Sequence, residues 1–172
     1  MTRSRGLGDV YKRQLLKSAA LQLQSQGVRA IVGGCGFFGN FQGSLSEALN
    51  IPVFLSSLMQ IPMVLQAIKP RAKIAVLSDI NSLTDDLFSA CGVNDLDRVT
   101  RIHSTGLPET QKQFSTGALN PNVYLKQLVT LVQDHIKNNP DVEAIVAEYT
   151  EFPTFAYACL LYTSDAADEF SC

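Results

Sequence analysis

Short β-branched runs alternate with helix-length amphipathic stretches along this chain, and the alternation starts twice. In the first round, Val28-Arg-Ala-Ile-Val32 and Ile51-Pro-Val-Phe-Leu55 read as strands. Segment 15–26 before them, closed by Gly27, reads as a helix, as do segments 37–49 and 58–68, with Ser56 or Ser57 capping the last. Lys69-Pro-Arg-Ala72 is a linker. The second round begins with the strand Lys73-Ile-Ala-Val-Leu77 and a helix over 82–90. A strand over Val99–His103, a long amphipathic helix over 120–138 stopped by Pro140, and a strand over 141–147 complete it. Strands that alternate with helices imply parallel sheets with right-handed crossovers. Ligands in such sheets bind beyond the carboxyl ends of the strands. Two loops lie there: Gly33-Gly-Cys-Gly-Phe-Phe-Gly-Asn-Phe-Gln42 and Glu148-Tyr-Thr-Glu-Phe-Pro153.

Composition supports a packed core. Of the 172 residues, 46% are hydrophobic and 17% charged, a balance unlike that of disordered chains. The net charge of −2 gives no global pull on nucleic acid or an anionic membrane. No apolar run reaches transmembrane length, and no signal peptide is legible, so a cytoplasmic setting is the expectation. Cysteines stand at 35, 91, 159 and 172. Their spacing suits neither a zinc site nor a disulfide framework, so each reads as a reduced thiol and no metal is expected.

The two ends differ from the middle. Arg5-Gly-Leu-Gly-Asp-Val-Tyr-Lys-Arg-Gln14 resembles translated sequencing-adapter DNA, and Cys159-Leu-Leu-Tyr-Thr-Ser-Asp-Ala-Ala-Asp-Glu169 resembles another such translation. Residues 1–14 and 159–172 are therefore expected to be an artefactual leader and tail that pack poorly and add no strand. The first α/β unit is then 15–70 and the second 71–158, both truncated.

Cys35 follows an apolar strand, lies among glycines and precedes a helix. A thiol at a helix N-terminus feels the positive end of the macrodipole, which favours the thiolate. The bland alternative is a small thiol that only packs. The flanking Gly34 and Gly36 argue against it, because a packed strand does not need them.

The run Val32-Gly-Gly-Cys-Gly-Phe-Phe-Gly-Asn-Phe-Gln42, followed by Ile51-Pro-Val-Phe-Leu-Ser-Ser-Leu58, resembles the first-cysteine region of the aspartate/glutamate racemase family. Lys73-Ile-Ala-Val-Leu77 is similar to the start of that family's second unit. Ile145-Val-Ala-Glu-Tyr-Thr-Glu-Phe-Pro153 resembles its second-cysteine motif, with Tyr149 where the cysteine belongs. The resemblance implies two flavodoxin-like parallel-sheet units with the active-site cleft between them. It implies an isomerase that needs no cofactor and acts on aspartate- or glutamate-like substrates. In that mechanism one thiolate removes the α-proton and a second thiol on the opposite face returns one. Cys35 would be the first base and Tyr149 would occupy the second position. Gly34, Gly36, Phe37, Thr150 and Glu151 would contact a small carboxylate or amino-acid substrate, and a homo-oligomer is compatible with the family.

Tyr149 departs from that pattern. An unperturbed phenol has a pKa of about 10 and a larger, longer side chain than a thiol. The expectation is a chain impaired as a racemase. Two alternatives stay open: a non-catalytic homologue that binds a small carboxylate, and a single-cysteine enzyme that decarboxylates or hydrolyses. Cys91, Met59 and Met63 read as packing residues. His103 and His135 read as isolated, and Phe37, Phe38 and Phe41 read equally as pocket or helix face.

Overall fold

The computed structural model describes residues 7–79, 83–149 and 152. Among these residues, two small parallel sheets and six α-helices make up a mixed α/β structure. The first sheet pairs β1 (Ile31–Val32) with β2 (Val53–Phe54). The second has the order β4-β3-β5, with β3 (Lys73–Ser78) between β4 (Val99–His103) and β5 (Val142–Ala147).

The second sheet forms where apolar residues run without interruption. Ile74, Ala75, Val76 and Leu77 on β3 are all buried, as a central parallel strand requires. Their side chains alternate between faces. Ile74 and Val76 join a core of Leu58, Ile61, Leu87 and Phe88, which come from α3 (Ile61–Ala67), α4 (Asp85–Ala90) and the turn before α3. Ala75 and Leu77 join Ile102 and the buried stripe Tyr124, Leu128 and Val132 of α6 (Pro121–Asn138).

Local chemistry sets the helix ends. Asn120 accepts from the backbone N–H groups of Asn122 and Val123 at 3.2 and 3.3 Å, and Pro121 opens α6. Thr84 caps α4 through the Leu87 N–H. Ser56 caps the 3₁₀ turn 57–60 that leads into α3.

Three features differ from expectation. Helix α1 (Leu7–Ser25) starts inside the segment set apart as a leader, and Arg13 from that segment reaches the Asn40 carbonyl at 3.4 Å and lies over the Phe41 ring. The expected helix over 37–49 splits into a 3₁₀ turn (Gly36–Phe41) and α2 (Gln42–Ala48). Glycines at 36, 39 and 43 are poor helix formers, and the first two are pressed against neighbouring elements. An additional helix, α5 (Pro108–Thr116), was not expected because its stretch is largely polar and leaves Phe114 exposed. Pro108 opens it and Gly117, at φ 71°, closes it. The segment 159–172, with Cys159 and Cys172, and the proposed helix start Ser82 lie outside the described residues.

Candidate functional site

Glycines at every third position let one loop press closely against three neighbouring segments. The Gly33 N–H donates to the Phe54 carbonyl at 2.8 Å, and a Cβ there would strike the backbone of Leu55. A Cβ on Gly36 would collide with the carboxylate of Glu148. One on Gly39 would sit 2.5 Å from the sulfur of Cys91. These contacts explain the glycines without a ligand: each makes room for a neighbour. Gly36 and Gly39 are buried, whereas Gly34 and Phe37 are exposed.

Cys35 stands between these glycines. Its backbone is extended and caps the 3₁₀ turn 36–41, but its side chain accepts no capping bond. The thiol is half-buried. Cys35 pairs with Tyr149 in an isolated antiparallel bridge, so residues far apart in sequence meet main chain to main chain. Residues directly opposed in such a bridge project to the same side, with Cβ atoms about 4.5–5.5 Å apart. Their side chains therefore leave the bridge on one side. The Tyr149 ring meets the Phe152 ring edge to face at 5.8 Å, and Phe37 meets Phe41 in the same way at 6.2 Å. Thr150 and Glu151 lie outside the described residues.

Beneath this pair lies a carboxylate that the sequence did not single out. The Glu148 N–H donates to the Leu77 carbonyl at 2.9 Å, which extends the β3–β5 ladder by one residue and turns the side chain inward. Glu148 is only 4% exposed. Its Oε2 accepts a 2.6 Å hydrogen bond from the hydroxyl of Ser78, itself fully buried at the end of β3. Its Oε1 is buried against Gly36 and has no hydrogen-bond partner among the described residues. Asp79, also buried, follows Ser78. The signal was faint: a serine ending an apolar strand, and a glycine at 36.

The other sequence candidates fall elsewhere. Cys91 is buried against Gly39, and burial pushes its thiol pKa up, as for a packing residue. The imidazole of His135 lies 2.9 Å from the Thr100 hydroxyl, and burial holds its pKa below the usual 6.5. An open groove of about 380 Å³ runs along α6, lined by Leu107, Lys126, Gln127, Thr130, Leu131 and Asp134, and it includes none of the residues around Cys35. Among the described residues no three His, Cys, Asp or Glu side chains gather closely enough to hold a metal ion. Among them, too, no helix is long and apolar enough to cross a membrane.

No family model matches the chain. It is similar to dimethylsulfoniopropionate lyase 6 of Emiliania huxleyi (strain CCMP1516), with 29% identity over 161 residues, 88% of this chain and 42% of that protein. It is similar to lyase 7 of the same organism, with 27% identity over 159 residues, 87% of this chain and 46% of the relative. A dimethylsulfoniopropionate lyase of Durusdinium sp. clade D is 29% identical over 141 residues, 77% of this chain and 46% of the relative. The chain thus spans less than half the length of the curated relatives it matches. These relatives are lyases. They overturn the expected membership of the aspartate/glutamate racemase family, together with the isomerase activity drawn from it. The residue at position 149 is consistent with the same correction. Inversion needs acid and base on opposite faces of one carbon. Here the residue bridged to Cys35 is a tyrosine, not a second cysteine.

Proposed function

We propose that the Cys35–Tyr149 corner carries out a β-elimination on a small carboxylate that bears a sulfonium group, of the dimethylsulfoniopropionate type. The observation that carries this reading is the single thiol, bridged to Tyr149 rather than to a second cysteine. Racemisation fails with one base; elimination does not. The Cys35 thiolate takes the proton from the carbon next to the carboxylate. The released electron pair forms the carbon–carbon double bond. The carbon–sulfur bond breaks with its electrons on sulfur, which leaves as neutral dimethyl sulfide. The products are acrylate, the sulfide and a protonated Cys35, which then returns its proton to solvent. A neutral leaving group needs no acid, so the missing second thiol costs this chemistry little.

Similarity to the lyases supports the substrate class. The reading keeps the lone-cysteine alternative and changes the bond that is broken. In it, the two sheets are cores of two flavodoxin-like units, 15–70 and 71–158, with the site between them. The order β4-β3-β5, with the unit's first strand in the middle, supports that arrangement. Gly34, Phe37, Thr150 and Glu151 stay assigned to substrate contact, and Gly36 to holding the carboxylate beneath. A cytoplasmic setting, which keeps Cys35 reduced, belongs to the same reading.

The test is release of dimethyl sulfide and acrylate from dimethylsulfoniopropionate by the full chain and by its Cys35→Ala variant. Loss of a general base lowers turnover on the order of 10²- to 10⁴-fold. Equal rates for the two chains would remove Cys35 from the reaction and sink the reading.

A further inference from the structure

The buried carboxylate of Glu148 has a half-filled hydrogen-bonding shell. Ser78 satisfies Oε2 at 2.6 Å, while Oε1 has no partner among the described residues and faces Gly36, next in sequence to Cys35. A buried carboxylate oxygen without a donor or cation is costly, and such atoms in native structures call for an explanation. Among the described residues Glu148 forms no ion pair. Among the described residues the ion pairs Lys69–Glu143, Lys73–Asp141, Arg101–Asp85 and Lys112–Glu109 all lie elsewhere. Arg98 is spent on the carbonyls of Ala72, Leu65 and Lys69.

We infer that Glu148 sets the charge preference of the Cys35–Tyr149 corner, selecting a small zwitterion with an onium group over a neutral or dicarboxylic acid of the same size. The inference rests on the elimination reading for the site's location, and it adds what tells the substrate from its analogues. Glu148 does not touch the ligand; it is a positioning residue that acts through its field across Gly36. An onium group above Gly36 brings the positive charge that the carboxylate lacks. Its methyl groups are poorly hydrated and suit the aromatic faces of Tyr149 and Phe37, which attract cations. A ligand with a second carboxylate would bring like charge to the same place.

A pair of ligands that differ only in charge tests this. Dimethylsulfoniopropionate and 4-methylpentanoate have the same skeleton, with S⁺ in one where the other has CH. Succinate serves as the dicarboxylate. Dissociation constants are measured by calorimetry on the full chain carrying Cys35→Ala, so that nothing is turned over. The same three ligands are then measured with Glu148→Gln and with Ser78→Ala added. Coulomb attraction over a few ångströms in a partly desolvated site supports an onium preference on the order of tenfold or more. Glu148→Gln, which keeps shape and removes charge, should abolish that preference. Ser78→Ala, which removes the hydrogen bond and keeps the charge, should leave it in place. A merely structural role would move both variants alike and all ligands together. An unchanged ratio in the Glu148→Gln chain overturns the inference. So does equal binding of onium and isostere by the parent chain, and in that case the lyase reading still stands on its own turnover test. Failure of all three ligands to bind overturns the inference, and turnover by the parent chain then decides the lyase reading alone.

Discussion

The two sheets are built alike and buried differently. On β3 every residue from Ile74 to Ser78 is inaccessible or nearly so, with helices or loops on both faces. On the two-stranded sheet, Ile31 and Val53 face α1 and α2, while their neighbours Val32 and Phe54, opposite each other in register, are 76% and 52% exposed. A parallel sheet is normally covered on both faces. The difference separates two duties at the site. The three-stranded sheet supplies its fixed, buried part: Ser78, Asp79 and Glu148. The two-stranded sheet supplies the accessible part: Gly34, Cys35 and Phe37. In the proposed function, rigidity comes from one side and reactivity from the other.

The strongest way to break this comparison is to cut equal volumes from the two regions. Phe88 is fully buried, with the Arg101 guanidinium 4.9 Å above its ring. Phe88→Ala should cost about 3–5 kcal/mol, much of the stability of a chain this size. Phe54→Ala removes the same atoms from an exposed site and should stay within about 0.5 kcal/mol. Urea midpoints of the two variants check this. If Phe54→Ala proves as damaging as Phe88→Ala, something covers that face in solution and the contrast between the sheets is lost.

A smaller effect probes the seam between the regions. Gly36 must lack a side chain because the Glu148 carboxylate occupies its space. Gly36→Ala should therefore cost roughly 1–3 kcal/mol, the usual range for overpacking. The same change should cost clearly less when Glu148→Ala has already emptied that space. Denaturation of both single variants and of the double variant gives the coupling directly. An unchanged cost in the double variant would mean that backbone preference, not the carboxylate, demands glycine at 36.

The same contrast explains what could be read in advance. The strands of the three-stranded sheet were legible within a residue or so, because burial on both faces demands unbroken runs such as Ile74–Leu77. Helix α6 was legible from Asn120, Pro121 and its apolar stripe. The two-stranded sheet was read too long, since one buried face leaves only Ile31–Val32 and Val53–Phe54 to pair. Cys35 was visible from its glycines, but their reason was not. They were read only as room for something to come close, and Gly36 and Gly39 make that room for Glu148 and Cys91. Glu148 looked like one more acid in a loop; only the ladder bond to Leu77 and the hydroxyl of Ser78 make it a buried one. The family resemblance failed for a related reason. Motifs around a thiol report a scaffold and a nucleophile, and the bond to be broken depends on what stands opposite.

The smallest expected effect is a pH dependence confined to the three-stranded side. His135 packs its ring against Thr100 on β4 and binds Asn139 through its carbonyl at 2.8 Å. Burial lowers its pKa from 6.5, so the unfolded chain binds a proton before the folded chain does. The sign follows: the contribution of His135 is fully present above pH 6.5 and is lost as pH falls through that value towards the lower folded pKa. Glu109, Asp141 and Glu143 also have lowered pKa values, Glu109 chiefly because its carboxylate accepts from the Asn120 backbone. Their contributions vanish only in the carboxylate range, below the window where His135 acts. Acidification from about pH 7.5 to about pH 5.5 should thus lower the melting temperature on the order of one to three degrees. Most of that drop should disappear in His135→Gln, which can still hydrogen-bond Thr100. Amide hydrogen exchange locates the change: β4 should lose protection in acid while β1 and β2 hold theirs. An equal drop with glutamine at 135, or a loss centred on β1 and β2, would mean that the acid-sensitive fastening lies in the thinly covered sheet, and that its exposed face is less passive than its burial implies.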